Sequence, residues 1–346
     1  MTFGIVATGH ALGEPTPVMA AAPGYVEDLR TVRGWGYRTF HRAETGVGLT
    51  DLAVRAGQDV LARTGTPAAE VDLIVLAMSD IAEYLYWDAA ASVQARLEAH
   101  RAEAVLVNQA CGGGVTAFDT VAGRFATHDD YDTALIIGAN RVCEEYSNRM
   151  SANTCVNGDG AAAALVRRGA GGCRWLTTET ITDGRYAGFY RLDIGGAASP
   201  FTQALAGPVR VSDPFDRLEE FFEGDVAAMF DFARMALRRN REVLERACKR
   251  AGVTPESVTR VIHLNDNLKA LTDLAGELGV PIGRTNAELA LDHGHLGCAD
   301  QIFGLDRLLA SGELVPGDLV ALTSMSSGMH WSCTLLRVQP TAEELR

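Results

Sequence analysis

One cysteine, Cys111, stands where the residue pattern changes from an apolar run to glycines and then to a helix. The run at 104–107 predicts a strand, the glycines at 112–114 a sharp turn, and the sequence from Val115 a helix. A thiol at the start of a helix faces the positive end of the helix dipole, which favours the thiolate form. The glycines leave room beside the sulfur for a large acyl group. We therefore predict that Cys111 is a nucleophile, the alternative being a buried structural cysteine.

A second turn, at His295, repeats the layout of the Cys111 turn. In both places a polar turn leads into a glycine-containing helix, a short acidic loop and an apolar strand. Leu135 follows Cys111, and Leu319 follows His295, at the same separation (135 − 111 = 319 − 295 = 24). Such a repeat predicts two similar α/β halves packed as one body, with ligands at the carboxyl ends of the parallel strands.

The same arrangement brings His263 to the site, because this residue ends the strand pattern at 258–263. A thiol with one or two imidazoles suits acyl transfer: one imidazole removes the thiol proton, and an imidazole N–H polarises the thioester carbonyl. Asp300, five residues after His295, is a candidate for orienting that imidazole, and an exposed aspartate at a helix start is the alternative. The other histidines are interpreted as structural, and no spacing of cysteines and histidines predicts a metal site.

The composition is that of an acidic globular protein. The chain has 346 residues, of which 47% are hydrophobic, and its net charge of −13 argues against nucleic acid as a partner. No apolar run is long enough to span a membrane, and residues 1–15 lack the pattern of a signal peptide. The seven cysteines show no CxxC spacing and are interpreted as reduced thiols. We therefore expect a cytoplasmic protein with no membrane partner.

The chain is predicted to consist of three parts, two of which each contain one of these turns. Residues 1–169 form the half that carries the nucleophilic cysteine, and residues 225–346 form the half that carries the catalytic histidines. Residues 170–224 have an irregular, proline-containing pattern, which predicts a loop-rich insertion covering the site.

Residues 27–42 are predicted to be irregular and to contact a phosphate and an adenine ring. Four arginines surround Trp35 there, and they suit bidentate contacts to phosphate while the indole offers a stacking face. A solvated basic loop is the alternative. The arginines are Arg30, Arg33, Arg38 and Arg42.

Six segments together resemble the β-ketoacyl-ACP synthase III family of thiolase-fold proteins, over nearly the whole chain. They are NQACGGGVTAFD around Cys111, TALIIGAN, GDGAAAALV, VIHLNDN, HGHLGCADQ and GDLVALTSMSSGMHWSCTLLR. The resemblance implies an α/β thiolase fold, with two pseudo-duplicated halves in a five-layered αβαβα arrangement. It also implies an obligate homodimer, no bound cofactor, and acylation of Cys111 by an acyl-CoA or a phosphopantetheinyl acyl-carrier protein.

The resemblance also assigns substrate-binding positions. Trp35 and Arg38 fall in the family's CoA-contacting region. Tyr86 falls where an aromatic residue of the partner subunit shapes the acyl pocket. Asn267 falls on a substrate-binding position in the segment after the family's catalytic histidine.

For the catalytic centre, the resemblance places His263 on the family's catalytic histidine. It implies an oxyanion hole formed by the backbone N–H groups of Cys111 and Ser327. The family's elongating members carry an asparagine where this chain has His295. The same fold occurs in acyltransferases of specialised metabolism, which pass the acyl group from cysteine to a hydroxyl or amine of a small acceptor. A second histidine suits that reaction, because the acceptor must lose a proton.

The leading hypothesis is therefore an acyltransferase of antibiotic or polyketide metabolism that uses an acyl group bound to Cys111. In it, His263 activates the acceptor or stabilises charge, and His295 assists. The alternative is a condensing synthase that decarboxylates a malonyl thioester and forms a carbon–carbon bond. A third hypothesis is a non-catalytic subunit that shapes a partner synthase.

Overall fold

The computed structural model describes residues 2–150, 155–192, 195–198, 200 and 214–340. Its strands are β1 (Phe3–Leu12), β2 (Glu14–Pro17), β3 (Thr39–Arg42), β4 (Leu73–Met78), β5 (Glu103–Val107), β6 (Thr133–Asn140), β7 (Gly160–Arg168), β8 (Cys173–Thr182), β9 (Arg260–Ile262), β10 (Leu319–Ser326) and β11 (His330–Val338).

The helices alternate with these strands. They are α1 (Val18–Ala21), α2 (Leu29–Trp35), α3 (Leu49–Thr64), α4 (Ala89–Arg96), α5 (Gly113–Thr127), α6 (Pro214–Phe221), α7 (Val226–Ala251), α8 (Leu268–Leu278), α9 (Ala287–His293) and α10 (Asp300–Ala310). Among the described helices, none combines the length and apolar character that crossing a bilayer requires.

Nine of the described strands form one large sheet, in the order β5-β4-β6-β7-β1-β8-β11-β10-β9. Its two parts repeat one pattern. β6 runs parallel to β4 and antiparallel to β7, and β10 runs parallel to β9 and antiparallel to β11. The parts meet where β1 pairs with β8 at Gly4–Arg174 and Ile5–Cys173. The sheet therefore consists of two half-sheets of related topology, as the repeat in the sequence predicts.

The helices form three layers around these half-sheets. α5 and α10 lie between them, where Phe118 and Phe303 share one core with Val75 and Val320 from the strands. α3 and α4 cover the outer face of the first half-sheet, and α7 covers the outer face of the second. This is the five-layered αβαβα arrangement that the resemblance implies.

Close backbone contact between the halves positions the two turns. A side chain at Gly114 would collide with the carbonyl oxygen of Cys298, three residues after His295, and Gly138 in β6 faces the same carbonyl. Glycine is required because only a residue without Cβ lets the first turn of α5 approach the corresponding turn before α10 so closely. The Cys111 and His295 turns therefore lie side by side.

Two predictions of irregular structure are wrong. Residues 27–42 contain α2 and β3, and β8 lies within the predicted insertion at 170–224. β8 pairs with β11, so the second half-sheet begins at Cys173. Residues 193–194, 199 and 201–213 of the insertion lie outside the described part of the chain. That the remaining insertion covers the site therefore stays a prediction.

Candidate active site

Cys111 lies in a short 3₁₀ turn between β5 and α5. The residue before it, Ala110, has a φ of 45°, a left-handed conformation that non-glycine residues seldom adopt. Such strain is typical of functional turns that lift one side chain out of a sheet. After the cysteine, a Cβ at Gly112 would lie 2.7 Å from Oγ of Ser326 and 3.2 Å from Oγ of Ser324. The turn is therefore fixed against the end of β10, and Cys111 is partly exposed.

The Cys111 thiol is hydrogen-bonded to His295, whose other ring nitrogen contacts Asp300. The Sγ–Nε2 distance is 3.1 Å and the Nδ1–Oδ2 distance is 2.5 Å. Because a carboxylate only accepts hydrogen bonds, Nδ1 carries a proton and donates a hydrogen bond to Asp300. In neutral His295 the Nε2 lone pair therefore faces the sulfur, ready to accept the thiol proton.

Asp300 is fully buried and rigidly held. Besides His295, it accepts the backbone N–H of Asn265 on Oδ2 and that of Leu296 on Oδ1, each at 2.7 Å. These contacts fix the carboxylate, and the carboxylate fixes the tautomer and orientation of the imidazole. The structure thus places the predicted orienting residue in contact with the predicted imidazole.

The pKa of His295 is raised well above 6.5. Burial opposes protonation of the ring. The negative charge of Asp300, followed by the electrostatic interactions with Cys111 and Cys155, outweighs that effect. His295 therefore favours its protonated form, in which Nε2 holds the proton that its lone pair accepts from the Cys111 thiol.

His263 lies next to this group but is bonded elsewhere. Its Nδ1 is 2.9 Å from Oγ1 of Thr323, and its backbone N–H donates to Oδ1 of Asn286 at 2.8 Å. Burial, with the nearby charge of His295, lowers the pKa of His263 to about 3, so the ring is neutral. Among the described residues, no hydrogen bond joins His263 to Cys111. Of the two predicted imidazoles, His295 is therefore the one hydrogen-bonded to the sulfur, and the division of roles between His263 and His295 stays a prediction.

The predicted oxyanion-hole residue Ser327 directly follows β10, whose last residue packs on the Cys111 turn. The hydroxyls of Ser324 and Ser326 there are buried without a hydrogen-bond partner in the described part of the chain. The structure thus brings the two predicted backbone donors to neighbouring turns. Their joint action on an oxyanion stays a prediction.

The structure agrees less well with the predicted nucleotide contacts of Trp35 and Arg38. Trp35 is only 7% exposed, because its indole packs in a core with Val32 and Leu291. The indole face is therefore not free for adenine, and that expectation is wrong for this conformation. Arg38 is paired with Asp292 and, at 3.0 Å, with Glu288. Those carboxylates compete with phosphate for the guanidinium.

The two remaining predicted binding residues belong to different elements. Tyr86 is fully exposed in a loop after β4, next to the exposed Tyr84 and Leu85. Asn267 is the N-cap of α8, and its Oδ1 accepts the backbone N–H of Ala270 at 2.9 Å. That capping bond gives Asn267 a structural role beside the predicted one.

One carboxyl group in the site escaped the sequence reasoning. Asp266, three residues after His263, interacts electrostatically with His295 and with Asp300. The signal for it in the sequence is its place among the polar residues Asn265, Asp266 and Asn267 that follow His263. Within the described ranges, no group of three or more His, Cys, Asp or Glu side chains is arranged to hold a metal ion.

Sequence comparison identifies relatives along most of the chain. Residues 107–184 match the model of 3-oxoacyl-[acyl-carrier-protein] synthase III, and residues 248–338 match the model of its C-terminal part. The β-ketoacyl-[acyl-carrier-protein] synthase III of Rhodobacter capsulatus is 30% identical over 311 residues. That alignment covers 87% of this chain and 88% of the relative.

Comparison with solved structures identifies the same fold. ChlB3, described as an acyltransferase, superposes with a TM-score of 0.86 at 24% identity, covering 99% of both chains. FabH, the 3-oxoacyl-(acyl carrier protein) synthase III of Pseudomonas aeruginosa PAO1, gives a TM-score of 0.79 at 23% identity. It covers 99% of this chain and 100% of its own. At these identities the superpositions establish the architecture alone.

Proposed function

Because the chain belongs to the β-ketoacyl-[acyl-carrier-protein] synthase III family, we propose that it is an acyltransferase working through an acyl group on Cys111. The donor is an acyl thioester of CoA or of an acyl-carrier protein. The acceptor is a hydroxyl or amine of a small molecule of specialised metabolism. The observation that carries the proposal is the hydrogen-bonded series Cys111–His295–Asp300. It combines a nucleophile, a base and an orienting carboxylate.

In the first half-reaction, Nε2 of His295 takes the proton of Cys111 and the sulfur attacks the thioester carbonyl. The donor thiolate leaves as its carbon–sulfur bond breaks, and His295 returns the proton to it. Asp300 remains ionised and stabilises the imidazolium formed in between. Neutral His263 suits stabilisation of charge on the carbonyl oxygen, together with the backbone N–H groups of Cys111 and Ser327.

In the second half-reaction, the acceptor takes the place of the donor thiol. His295 removes the proton from the acceptor oxygen or nitrogen as that atom attacks the acyl carbon. The bond to Cys111 then breaks and His295 reprotonates the sulfur. This step needs a base beside the sulfur, and a histidine with a raised pKa held by a buried carboxylate meets that need.

A condensing synthase is the second candidate, favoured by the name of the relative with 30% identity. Decarboxylative condensation requires hydrogen-bond donors that stabilise an enolate formed when CO₂ leaves. A protonated Nε2 of His295 is such a donor. The two candidates differ in what discharges the cysteine: a hydroxyl or amine in one, a malonyl thioester in the other.

A homodimer is also proposed. β5 is an edge strand, paired on one side by β4. Its residues Ala104, Val105, Leu106 and Val107 are apolar and only half-buried. Such an edge is normally covered in a stable protein, and the exposed aromatic loop at Tyr86 supports the expected contact with a partner's acyl pocket.

The test is to acylate the protein with a panel of acyl-CoA thioesters and to confirm one adduct by intact mass. The acylated protein is then mixed with carrier protein bearing a malonyl group labelled at its free carboxylate. We expect no labelled CO₂ above the level of the Cys111→Ala variant. Clear release of CO₂ with a β-ketoacyl product would establish the condensing synthase instead.

A further inference from the structure

Two buried asparagines join the segments that carry His263 and His295. Asn286 is 2% exposed and Asn265 is 1% exposed. Nδ2 of Asn286 donates a hydrogen bond to Oδ1 of Asn265 at 2.8 Å, so the two side chains form one amide bridge. At one end this bridge holds the backbone of His263, and at the other end it holds the turn before His295.

The His263 end of the bridge consists of two hydrogen bonds from one side chain. Oδ1 of Asn286 accepts the backbone N–H of His263 at 2.8 Å, and Nδ2 of Asn286 donates to the carbonyl oxygen of His263 at 3.0 Å. Because a backbone N–H only donates and a carbonyl oxygen only accepts, these bonds fix the orientation of the Asn286 amide. The second hydrogen of the same NH₂ group goes to Asn265. One side chain therefore holds both polar backbone groups of His263.

The His295 end of the bridge begins at Asn265. Its Nδ2 donates to the carbonyl oxygen of Gly294, the residue directly before His295, at 2.8 Å. Its backbone N–H donates to Oδ2 of Asp300 at 2.7 Å, and Nδ1 of His295 contacts the same oxygen. Asn265 thus contacts both the chain just before the imidazole and the carboxylate behind it. A shift of Asn265 would change the direction in which Nε2 of His295 points.

The local structure of α9 disfavours a role for Asn286 in its own helix alone. Asn286 is the N-cap of α9, a position where asparagine commonly accepts a hydrogen bond from the first N–H groups of the helix. Among the described residues of α9, none is bonded in this way, and the side chain reaches His263 instead. Gly294 is the C-cap of the same seven-residue helix, so the bridge ties both ends of α9 to residues 263–265. Fully bonded buried networks of this kind specify one rigid arrangement.

Resting on the proposed function, we propose that Asn265 and Asn286 are positioning residues that hold the two imidazoles in one fixed arrangement around the Cys111 sulfur. In the proposed reaction, His295 must face the sulfur while His263 faces the carbonyl oxygen of the same acyl group. Small displacements of such groups cost large factors in rate. Asn265 acts on His295. Asn286 acts on the backbone of His263 and fixes the orientation of Asn265.

The test measures acylation of Cys111 by acetyl-CoA in the full-length protein, by rapid-quench intact mass over a range of acetyl-CoA concentrations. The variants are Asn265→Ala and Asn286→Ser, and Asn265→Ser serves if the alanine protein does not fold. The control is Asn240→Ala. Asn240 is another buried asparagine, 3% exposed, and its Nδ2 donates to the carbonyl oxygen of Ala236 within α7 at 3.1 Å. Thermal unfolding of each protein measures the loss of stability.

We expect each bridge variant to lower the maximal rate of acylation by about 10–100-fold and to change the half-saturating acetyl-CoA concentration by less than about twofold. Asn240→Ala should lower the thermal midpoint and keep the maximal rate within about twofold of the wild-type rate. Folded bridge variants that acylate at the wild-type rate would overturn the proposal. So would a loss of rate in Asn240→Ala as large as in the bridge variants.

A second comparison separates positioning from a general loss of structure. In the His295→Asn protein, adding Asn265→Ala should reduce the remaining rate by less than about threefold, because the imidazole that Asn265 positions is gone. A further loss as large as in the wild-type background would overturn the proposal, since Asn265 would then act independently of His295. Absence of any acetyl adduct on Cys111 in the wild-type protein is a separate result, and it would refute the proposed function itself.

Discussion

Replacing Asp300 by asparagine is the sharpest perturbation of the proposed machinery. The two carboxylate oxygens accept three N–H groups, from His295, Asn265 and Leu296. An amide has one oxygen, so its NH₂ group must face at least one of those donors. If the NH₂ group faces Nδ1 of His295, the ring avoids the clash by moving its proton to Nε2. An N–H then points at the Cys111 sulfur where a lone pair is needed.

The size of the effect follows from the lost charge. An imidazolium and a carboxylate whose charge centres are about 4 Å apart attract each other by about 4 kcal/mol at an effective dielectric constant of about 20. Each 1.36 kcal/mol corresponds to a factor of ten, so the rate of acylation should fall by about 10³. Asp300→Asn also lowers the pKa of His295 toward its ordinary value, because the charge of Asp300 opposes the effect of burial.

The assay is rapid-quench intact mass of the protein mixed with acyl-CoA, with folding checked by circular dichroism and thermal unfolding. Asp306→Asn is the matched control. Asp306 lies on the same helix, is buried and bonds to a histidine, His10, at 2.8 Å, away from the sulfur. We expect Asp306→Asn to lower stability and leave the acylation rate within a few-fold. A folded Asp300→Asn protein that acylates at the wild-type rate would refute the role given to Asp300.

Three further predictions test the structure around the site. Gly112→Ala places a Cβ 2.7 Å from Oγ of Ser326. It should lower the free energy of unfolding by about 1–3 kcal/mol in urea titrations, and an unchanged midpoint would contradict the packing described. Trp35→Ala should cost about 3–5 kcal/mol of stability, as expected for a core residue. If it instead raised KM for acyl-CoA without changing the thermal midpoint, the indole would be a ligand contact after all. His263 has a pKa of about 3 in the folded chain and about 6.5 when unfolded. Its contribution to stability is therefore fully present above pH 6.5 and is lost as the pH falls toward 3. Relative to His263→Asn, the wild-type protein should lose about 1 kcal/mol per pH unit in this range, and parallel stability curves would contradict the buried neutral ring.

The sequence predicts those parts of the site whose residues lie within a local pattern of strand, turn and helix. Strand, cysteine, glycines and helix around Cys111 predicted the turn, and the repeat predicted that His295 occupies the equivalent place in the second half. Both turns lie together in the structure, with Asp300 behind His295. These features depend on neighbours in the chain and on the topology, which periodicity predicts well.

Contacts between residues that are far apart in the sequence could not be predicted in this way. The indole of Trp35 is buried by side chains such as Leu291, and Arg38 is paired with Glu288 and Asp292, all about 250 residues along the chain. The division of roles between His263 and His295 depends on side-chain direction, which spacing does not fix.

β8 was missed for a similar reason. Its segment CRWLTTETIT lacks the continuous apolar run of the other buried strands, because it carries Arg174 and Glu179 and buries two threonines, Thr177 and Thr178. The strand is specified by pairing with β11 across the sheet. Propensity alone gives a weak signal for such a strand.

The central claim is that His295 serves the Cys111 sulfur while His263 stays a neutral partner. The most direct test is the rate at which acyl-CoA forms the Cys111 adduct in His295→Asn and His263→Asn proteins, measured by rapid-quench intact mass beside the wild-type protein. We predict a loss of about 10²–10⁴ in His295→Asn, the range of general-base catalysis, and a loss below about tenfold in His263→Asn. The reverse order, or an adduct on any residue other than Cys111, would contradict the account.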